Sequence, residues 1–368
     1  MIYLDNASTT KPDSEVLSLY QEAQASMYFN SESLHIGGEM IKETLHSCRT
    51  YIQRYFNTTK EILFTTSGSH ANLIAIQNYL TSHKQGTVVV SPYEHPSIWA
   101  ALAQYEPQIT VVQMPLNDQA EIDIAALEQL LNQDTLLVIA QHVNSETGYI
   151  LPIEAIATLA HQYHIPFHVD GVQAVQKIER TSLDQICTSY SFSGHKFHGT
   201  KGSGVVAMSH AYVRPLNQHY FHEQGTRNGT LYLPSIIALT KALTLTSHFD
   251  HLQRLHHYAK QRAEMIGFTV LTFTQQAPHI LGLMTPHFEG QWLMQSLSSR
   301  NICISTGTAC GHGVLLSQGL IHKIQHDQLQ PDQYIRISFS KETTIDEIDQ
   351  CFSQIDHIFK GVATNESS

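Results

Sequence analysis

The sequence predicts an α/β fold: a large domain with a mostly parallel seven-stranded sheet sandwiched by helices, then a smaller α+β C-terminal domain. Three features predict it. Short apolar runs alternate with helix-length stretches from about residue 60 to residue 208. Small or polar residues (Gly68-Ser69, His95, Asn144, Asp170 and Lys196) fall just past the predicted strands, where parallel sheets gather their ligands. Beyond about residue 250 the alternation changes, with long helices ahead of more scattered strands. At 368 residues the chain exceeds the size one core comfortably fills. The expected division is 13–250 for the large domain, and 1–12 with 251–368 for the small one.

The elements follow in order. Asp5 to Pro12 is a polar turn, and Ser14 to Met27 reads as a first helix. Gly38 to Phe56 is a longer one, with Met40, Ile41, Leu45, Cys48, Ile52 and Phe56 at three-to-four spacing. Ile62–Thr65 is a strand, and Ser67-Gly68-Ser69 opens a helix through Leu80. Strands are expected at Thr87–Val90, Val111–Met114, Leu136–Ala140, Pro166–Asp170, Thr188–Phe192 and Gly204–Met208. Helices are expected between them, including Ile122–Leu131 and Pro152–His164. Two long helices, Ser235–Phe249 and about His251–Ile266, follow Pro234. The small domain is expected to carry strands near Phe268–Phe273, Ile280–Leu283 and Tyr334–Phe339, with helices over Gly290–Ser299 and Thr344–Phe359. The tail from Thr364 is expected to fray.

Composition excludes several classes of function. Hydrophobic residues make up 42% and charged ones 14%, which suits a folded, soluble chain. A formal net charge of −11 argues against direct nucleic-acid binding, which needs clustered Lys and Arg. The five cysteines (Cys48, Cys187, Cys303, Cys310, Cys351) are scattered, odd in number and without a CxxC pair, so neither a disulfide framework nor a zinc site is expected. No metal site is expected from the 24 histidines either. No signal peptide or membrane-length apolar run is visible, and the expected location is the cytoplasm.

The chemistry concentrates at Ser193-Gly194-His195-Lys196, where a strand ends in a glycine-rich turn. A lysine there can offer its amine to an aldehyde once burial or a nearby cation lowers its pKa. Gly68, Ser69 and His70, at a strand-to-helix junction, can supply amides and side-chain donors to a phosphate, together with Ser193 and His195. Asp170, ending its strand, can hold a pyridine nitrogen protonated. His95 has a face to stack on a ring and nitrogens to move protons. Gln173 and Asn144 are candidates for a ring oxygen, or else plain loop amides. Together these point to an enzyme using pyridoxal 5′-phosphate. Cys310, in Ser305-Thr306-Gly307-Thr308-Ala309-Cys310-Gly311, sits on a mount of small residues that suits an exposed, travelling thiol. The other four cysteines read as small core hydrophobes. Arg336, within Tyr334-Ile335-Arg336-Ile337-Ser338, either faces solvent or holds a carboxylate bidentately.

Across nearly its whole length the chain resembles the NifS/IscS-like cysteine desulfurases, class V enzymes of the fold-type-I pyridoxal-phosphate group. The matching stretches are Tyr3–Thr10, Glu94-His95-Pro96, Val143–Gly148, His168–Ala174, Ser193–Lys196, Arg227–Thr230, Ser305–Cys310 and Ile335–Ser338. The resemblance implies Lys196 as the lysine bonded to the cofactor, Asp170 as its pyridinium partner and His95 as the stacking acid/base residue. It implies Asn144 and Gln173 on the ring oxygen, Ser193 and His195 on the phosphate, and Asn144 with Arg336 on the substrate carboxylate. Thr230 would reach the phosphate of the other subunit in a homodimer. Cys310 would be the nucleophile that takes sulfur from L-cysteine as a persulfide, releasing L-alanine. The sulfur would pass to an acceptor protein, a scaffold or thiolase of iron–sulfur or transfer-RNA thiolation chemistry. The alternatives are another class V enzyme, such as a selenocysteine lyase or aminotransferase, or a catalytically silent sulfur-trafficking scaffold.

Three stretches depart from the family pattern. Gly68-Ser69-His70-Ala71 places imidazole where the family has a threonine hydroxyl. Asn30-Ser31-Glu32-Ser33-Leu34-His35 lacks the family's proline, and His219-Tyr220-Phe221-His222-Glu223 replaces a glycine-rich approach to Arg227.

Overall fold

The computed structural model describes residues 1–82, 85–286, 288–306 and 316–366. Its strands run β1 (Ile2–Tyr3), β2 (Glu61–Thr65), β3 (Gly86–Val90), β4 (Ile109–Gln113), β5 (Thr135–Gln141) and β6 (Phe167–Asp170). They continue with β7 (Ser189–Ser193), β8 (Gly204–Met208), β9 (Thr269–Val270), β10 (Ile280–Met284), β11 (Ile302–Cys303) and β12 (Tyr334–Ser338). Seven of them form the central sheet in the order β2-β8-β7-β6-β5-β3-β4. Only β8 runs against the rest, pairing antiparallel with both β2 and β7.

The sheet is apolar on both faces because helices cover both. Val88, Val89, Leu137, Val138, Ile139, Val205 and Val206 are fully buried. One core packs Ile41, Leu45, Ile52, Val138, Phe192 and Leu239 together, and another packs Ile74, Ile76, Val88, Ile98 and Leu137. A separate core gathers Leu4, Leu255, Leu283, Leu297, Ile337, Phe339 and Ile355 around the sheet β12-β10-β9. The N-terminal segment belongs to it physically. β1 pairs parallel with β11, and Ser338 donates its amide to the Leu4 carbonyl at 2.8 Å.

All seven strands of the central sheet fall where the sequence predicts, with ends shifted by up to two residues. Four elements differ more, and one is the last helix, which runs Ile345–Glu366, past Phe359 and into the stretch expected to fray. The first of the two long helices runs Leu233–Leu243 rather than to Phe249, and the next covers Phe249–Met265. The strand expected over Phe268–Phe273 shrinks to two residues. Gln318–His326 forms a helix that periodicity did not flag, started by the Ser317 hydroxyl, which accepts from the Leu320 amide. No helix among the described residues is long and apolar enough to cross a membrane.

Candidate active site

The carboxyl ends of β2, β3, β5, β6 and β7 share one edge of the sheet. Between that edge, the segment Asp5–Ser8 and Arg336 lies a cavity of about 440 Å³. Gly68, Ser69, His95, Asp170, Gln173, Ser193, His195, Lys196 and Arg336 all line it.

Lys196 sits on a single helical turn after β7. Its ammonium donates to the carbonyls of Ala7 at 2.7 Å and Ser8 at 2.8 Å. Burial, then the Arg336 guanidinium, pulls its pKa down to about 8, while Asp5 and Asp170 act in the other direction. The amine is therefore held by neutral carbonyls and releases its proton more readily than an ordinary lysine.

Asp170 ends β6. One carboxylate oxygen accepts from the Val172 amide at 3.0 Å and the other from Asn72 Nδ2 at 2.8 Å. Asn72 was not flagged by the sequence, yet it organises this layer. Its carbonyl oxygen accepts from Ser191 and from His168 Nε2 (3.2 Å), and Ser189 closes the chain on His168 Nδ1 at 2.8 Å. Burial pushes His168 down to about 3, so it is a neutral member of the network. A polar residue among the buried positions of the helix Gly68–Leu80, which it shares with Asn78, was the available signal.

His95 caps the helix Pro96–Leu102. Its Nδ1 accepts from the Ser97 amide at 3.1 Å, and an amide can only donate. The neutral ring therefore carries its proton on Nε2. Burial lowers its pKa, with Lys196 adding to that and Asp170 opposing it. Glu94 beside it is fully buried, and desolvation, then Asp170, raises its carboxyl well above the usual range.

The helix Gly68–Leu80 points its N-terminus at the cavity, with Ser67 as cap. Gly68 is required by space: a Cβ there would lie 2.7 Å from Val172 Cγ2. The His70 imidazole does not line the cavity. It turns back to Thr66 Oγ1 at 3.0 Å, leaving the first turn to offer backbone amides and the Ser69 hydroxyl. Burial lowers the His195 pKa to about 4; its Nδ1 lies 3.1 Å from Thr9 Oγ1.

Gln173 donates to the Ala7 carbonyl at 2.7 Å and accepts from His279 at 3.3 Å. Asn144 does not reach the cavity. It is 1% exposed, and its oxygen accepts from the amides of Glu146 (3.0 Å) and Thr147 (2.8 Å). Its amide donates to the Tyr93 carbonyl at 3.1 Å, so the side chain is consumed in building its own turn. Ser145, the next residue, lines the cavity instead. Arg336 donates to the Ser145 carbonyl (2.7 Å), Asp5 (2.7 Å) and Ser8 Oγ (2.8 Å), while its buried Nε has no hydrogen-bond partner. Thr230 is exposed and does not line the cavity. Cys310 lies outside the described residues. Among the described residues, no cluster of His, Cys, Asp and Glu could hold a metal.

The aminotransferase class-V family pattern matches residues 2–351. A Bacillus subtilis (strain 168) protein carrying the name NifS is 34% identical over 375 residues, 95% of this chain and 92% of its own length. Cysteine desulfurase 2 of Trichormus variabilis (strain ATCC 29413 / PCC 7937) is 32% identical over 95% of this chain and 91% of its own. A solved NifS-like protein superposes with a TM-score of 0.88 at 25% identity, over 98% of this chain and 99% of that one. The family in general depends on pyridoxal phosphate. The chain belongs to the class-V aminotransferase family, within its group of NifS-like cysteine desulfurases.

Proposed function

We propose that the protein is a pyridoxal 5′-phosphate-dependent cysteine desulfurase, converting L-cysteine to L-alanine and passing the sulfur to Cys310. One observation carries the reading: Lys196, Asp170, His95 and Arg336 line one cavity, beneath a glycine-opened helix N-terminus. The residues fit the cofactor. The Lys196 amine can bond its aldehyde, Asp170 can pair with its ring nitrogen, and His95 can stack on its face. The amides of the helix Gly68–Leu80 with Ser69, Ser193 and His195 can take its phosphate. When bound, the cofactor supplies an electron sink for the carbanion at the substrate α-carbon.

The chain supplies the rest. Arg336, which lines the cavity, would hold the substrate carboxylate through its guanidinium. The anchored guanidinium fixes the amino acid's orientation without further ordering cost. Lys196, with a pKa lowered by burial, would take and return the α-proton near neutral pH. His95, protonated on Nε2 when neutral, can pass that proton in the sulfur step. The Cys310 thiolate attacks the substrate sulfur, the C–S bond breaks, and the β-carbon takes a proton. A persulfide stays on Cys310 and alanine leaves. The persulfide then goes to an acceptor thiol, which suits a reducing compartment such as the cytoplasm.

Gln173 would contact the ring oxygen, with Ser145 rather than Asn144 at the facing wall. Thr230, exposed here, would serve the other subunit of a homodimer. We further propose two domains, 13–250 and 1–12 with 251–368.

The test measures alanine and sulfide from L-cysteine with a thiol reductant. Equal yields, abolished in Lys196→Ala and in Cys310→Ala, are expected. Turnover that survives Cys310→Ala would replace desulfuration by a lyase or aminotransferase reaction. Wild-type turnover in Lys196→Ala would overturn the cofactor assignment itself.

A further inference from the structure

A second, much smaller cavity of about 20 Å³ lies where the two cores meet, bounded by Gln176, Lys177, His198, Ser247, His248 and Lys341. Lys177 is the anomaly there. It is 5% exposed, and among the described residues no hydrogen bond or ion pair engages its ammonium. Burial alone draws its pKa down to about 8, with no carboxylate close enough to offset the shift. A buried ammonium without a partner is costly, and folded chains normally pair or ligate such groups.

Its neighbours are basic as well. Burial, then Lys177, pulls His198 down to about 4, and the same two causes lead for His279. Burial lowers His248 too, with Lys341, His251 and Lys177 adding to it. Two carboxylates of this corner are already engaged. Asp13 takes the Lys341 ammonium and caps the helix Ser14–Ser26, while Glu342 pairs with Lys11 at 3.1 Å. The seventeen-residue helix Phe249–Met265 starts at the cavity wall, and His248 gives it no side-chain cap. Its first-turn amides lack intrahelical partners, and Asp250 is the one acid in that turn.

We propose that this cavity binds one monovalent, halide-sized anion, of which chloride is the representative, between Lys177 and the N-terminus of the helix Phe249–Met265. The volume sets the class. It admits about one water-sized body, which suits a single small ion better than phosphate or sulfate. The anion would replace the missing counter-charge and join four segments, three of them close in sequence to the active site. Lys177 lies one turn beyond Gln173, His198 two residues past Lys196, and Lys341 five past Arg336.

The test uses the full-length protein. Its melting temperature is measured while chloride replaces gluconate at constant ionic strength. The wild type should gain stability with a saturating, single-site dependence that bromide reproduces and sulfate does not. Lys177→Met, which keeps the length of the side chain, should shift the chloride midpoint upward by roughly tenfold or more. A wild-type melting temperature blind to chloride, or an unchanged midpoint in Lys177→Met, would overturn the proposal. Should that variant not fold, wild-type crystals soaked in bromide decide the matter. An anomalous peak within hydrogen-bond reach of Lys177 Nζ supports the site, and its absence refutes it.

Discussion

Replacing Asn72 by aspartate probes the layer beneath Asp170 without changing its shape. One NH₂ group becomes an oxygen, at a position where Asn72 Nδ2 now lies 2.8 Å from Asp170 Oδ2. With carboxylate centres about 4 Å apart and an effective dielectric of about 20, the repulsion is about 332/(20 × 4), or about 4 kcal/mol. That corresponds to about 3 pK units, so the pair holds one proton up to about pH 7. The folded pair then binds a proton that the unfolded chain has already released. Stability must therefore fall as pH rises, from about pH 4 until it levels off near about pH 7. Below that window the protonated carboxyl can still donate to Asp170, and little is lost. Urea unfolding of the cofactor-free protein measures the effect. The gap between wild type and Asn72→Asp should widen by about 3 kcal/mol between about pH 5 and about pH 8. A gap that stays constant across that range would refute the coupling of Asn72 to Asp170.

Other perturbations test the remaining parts. Lys196, with its pKa at about 8, should condense with a small aldehyde, trapped by borohydride, with a midpoint near pH 8. A midpoint near the ordinary lysine value would contradict the environment described. Because that pKa is depressed, the cost of burying the ammonium is present below about pH 8 and lifts as pH climbs through the unfolded lysine value of about 10.4. Arg336→Lys removes the planar fork that now reaches Ser145, Asp5 and Ser8. The KM for L-cysteine should rise by about ten- to a hundredfold, and an unchanged KM would exclude Arg336 from carboxylate binding. Gly171→Ala puts a Cβ 1.9 Å from Tyr190 Cζ, on a buried ring. A loss of about 3 kcal/mol in urea unfolding is expected, and a neutral result would contradict that packing. Ser317→Ala removes both a helix cap and the hydroxyl partner of the buried Glu146 carboxylate, whose pKa burial raises, while leaving the Ser317 amide bond to it in place. It should cost about 2 kcal/mol by the same assay.

Much of this protein was legible in its residues because the signals are local. The alternation of Val88–Val90, Leu137–Ala140 and Val205–Met208 with amphipathic helices depends only on neighbouring side chains, and it points to a mostly parallel sheet covered on both faces. Lys196, Asp170, His95 and Gln173 were readable because such sheets present the residues just past their strands at one edge. What sequence could not decide depends on which atom faces which across the fold. Asn144 and Ser145 are adjacent, and only the turn closed by the Glu146 and Thr147 amides sends one inward to its own backbone and the other to the cavity. His70 carries a capable donor, yet its hydrogen bond to Thr66 turns it aside. Asn72 looks like one of several polar residues on its helix until β6 and β7 bring Asp170, His168 and Ser191 against it. The partners of Lys196 come from Ala7 and Ser8, nearly two hundred residues away, and Lys177 is isolated in a corner whose Asp13 and Glu342 are taken by other cations only in the folded chain. Periodicity follows from the chain's own geometry, whereas hydrogen-bond direction, burial and pKa arise from segments that meet only once it has folded.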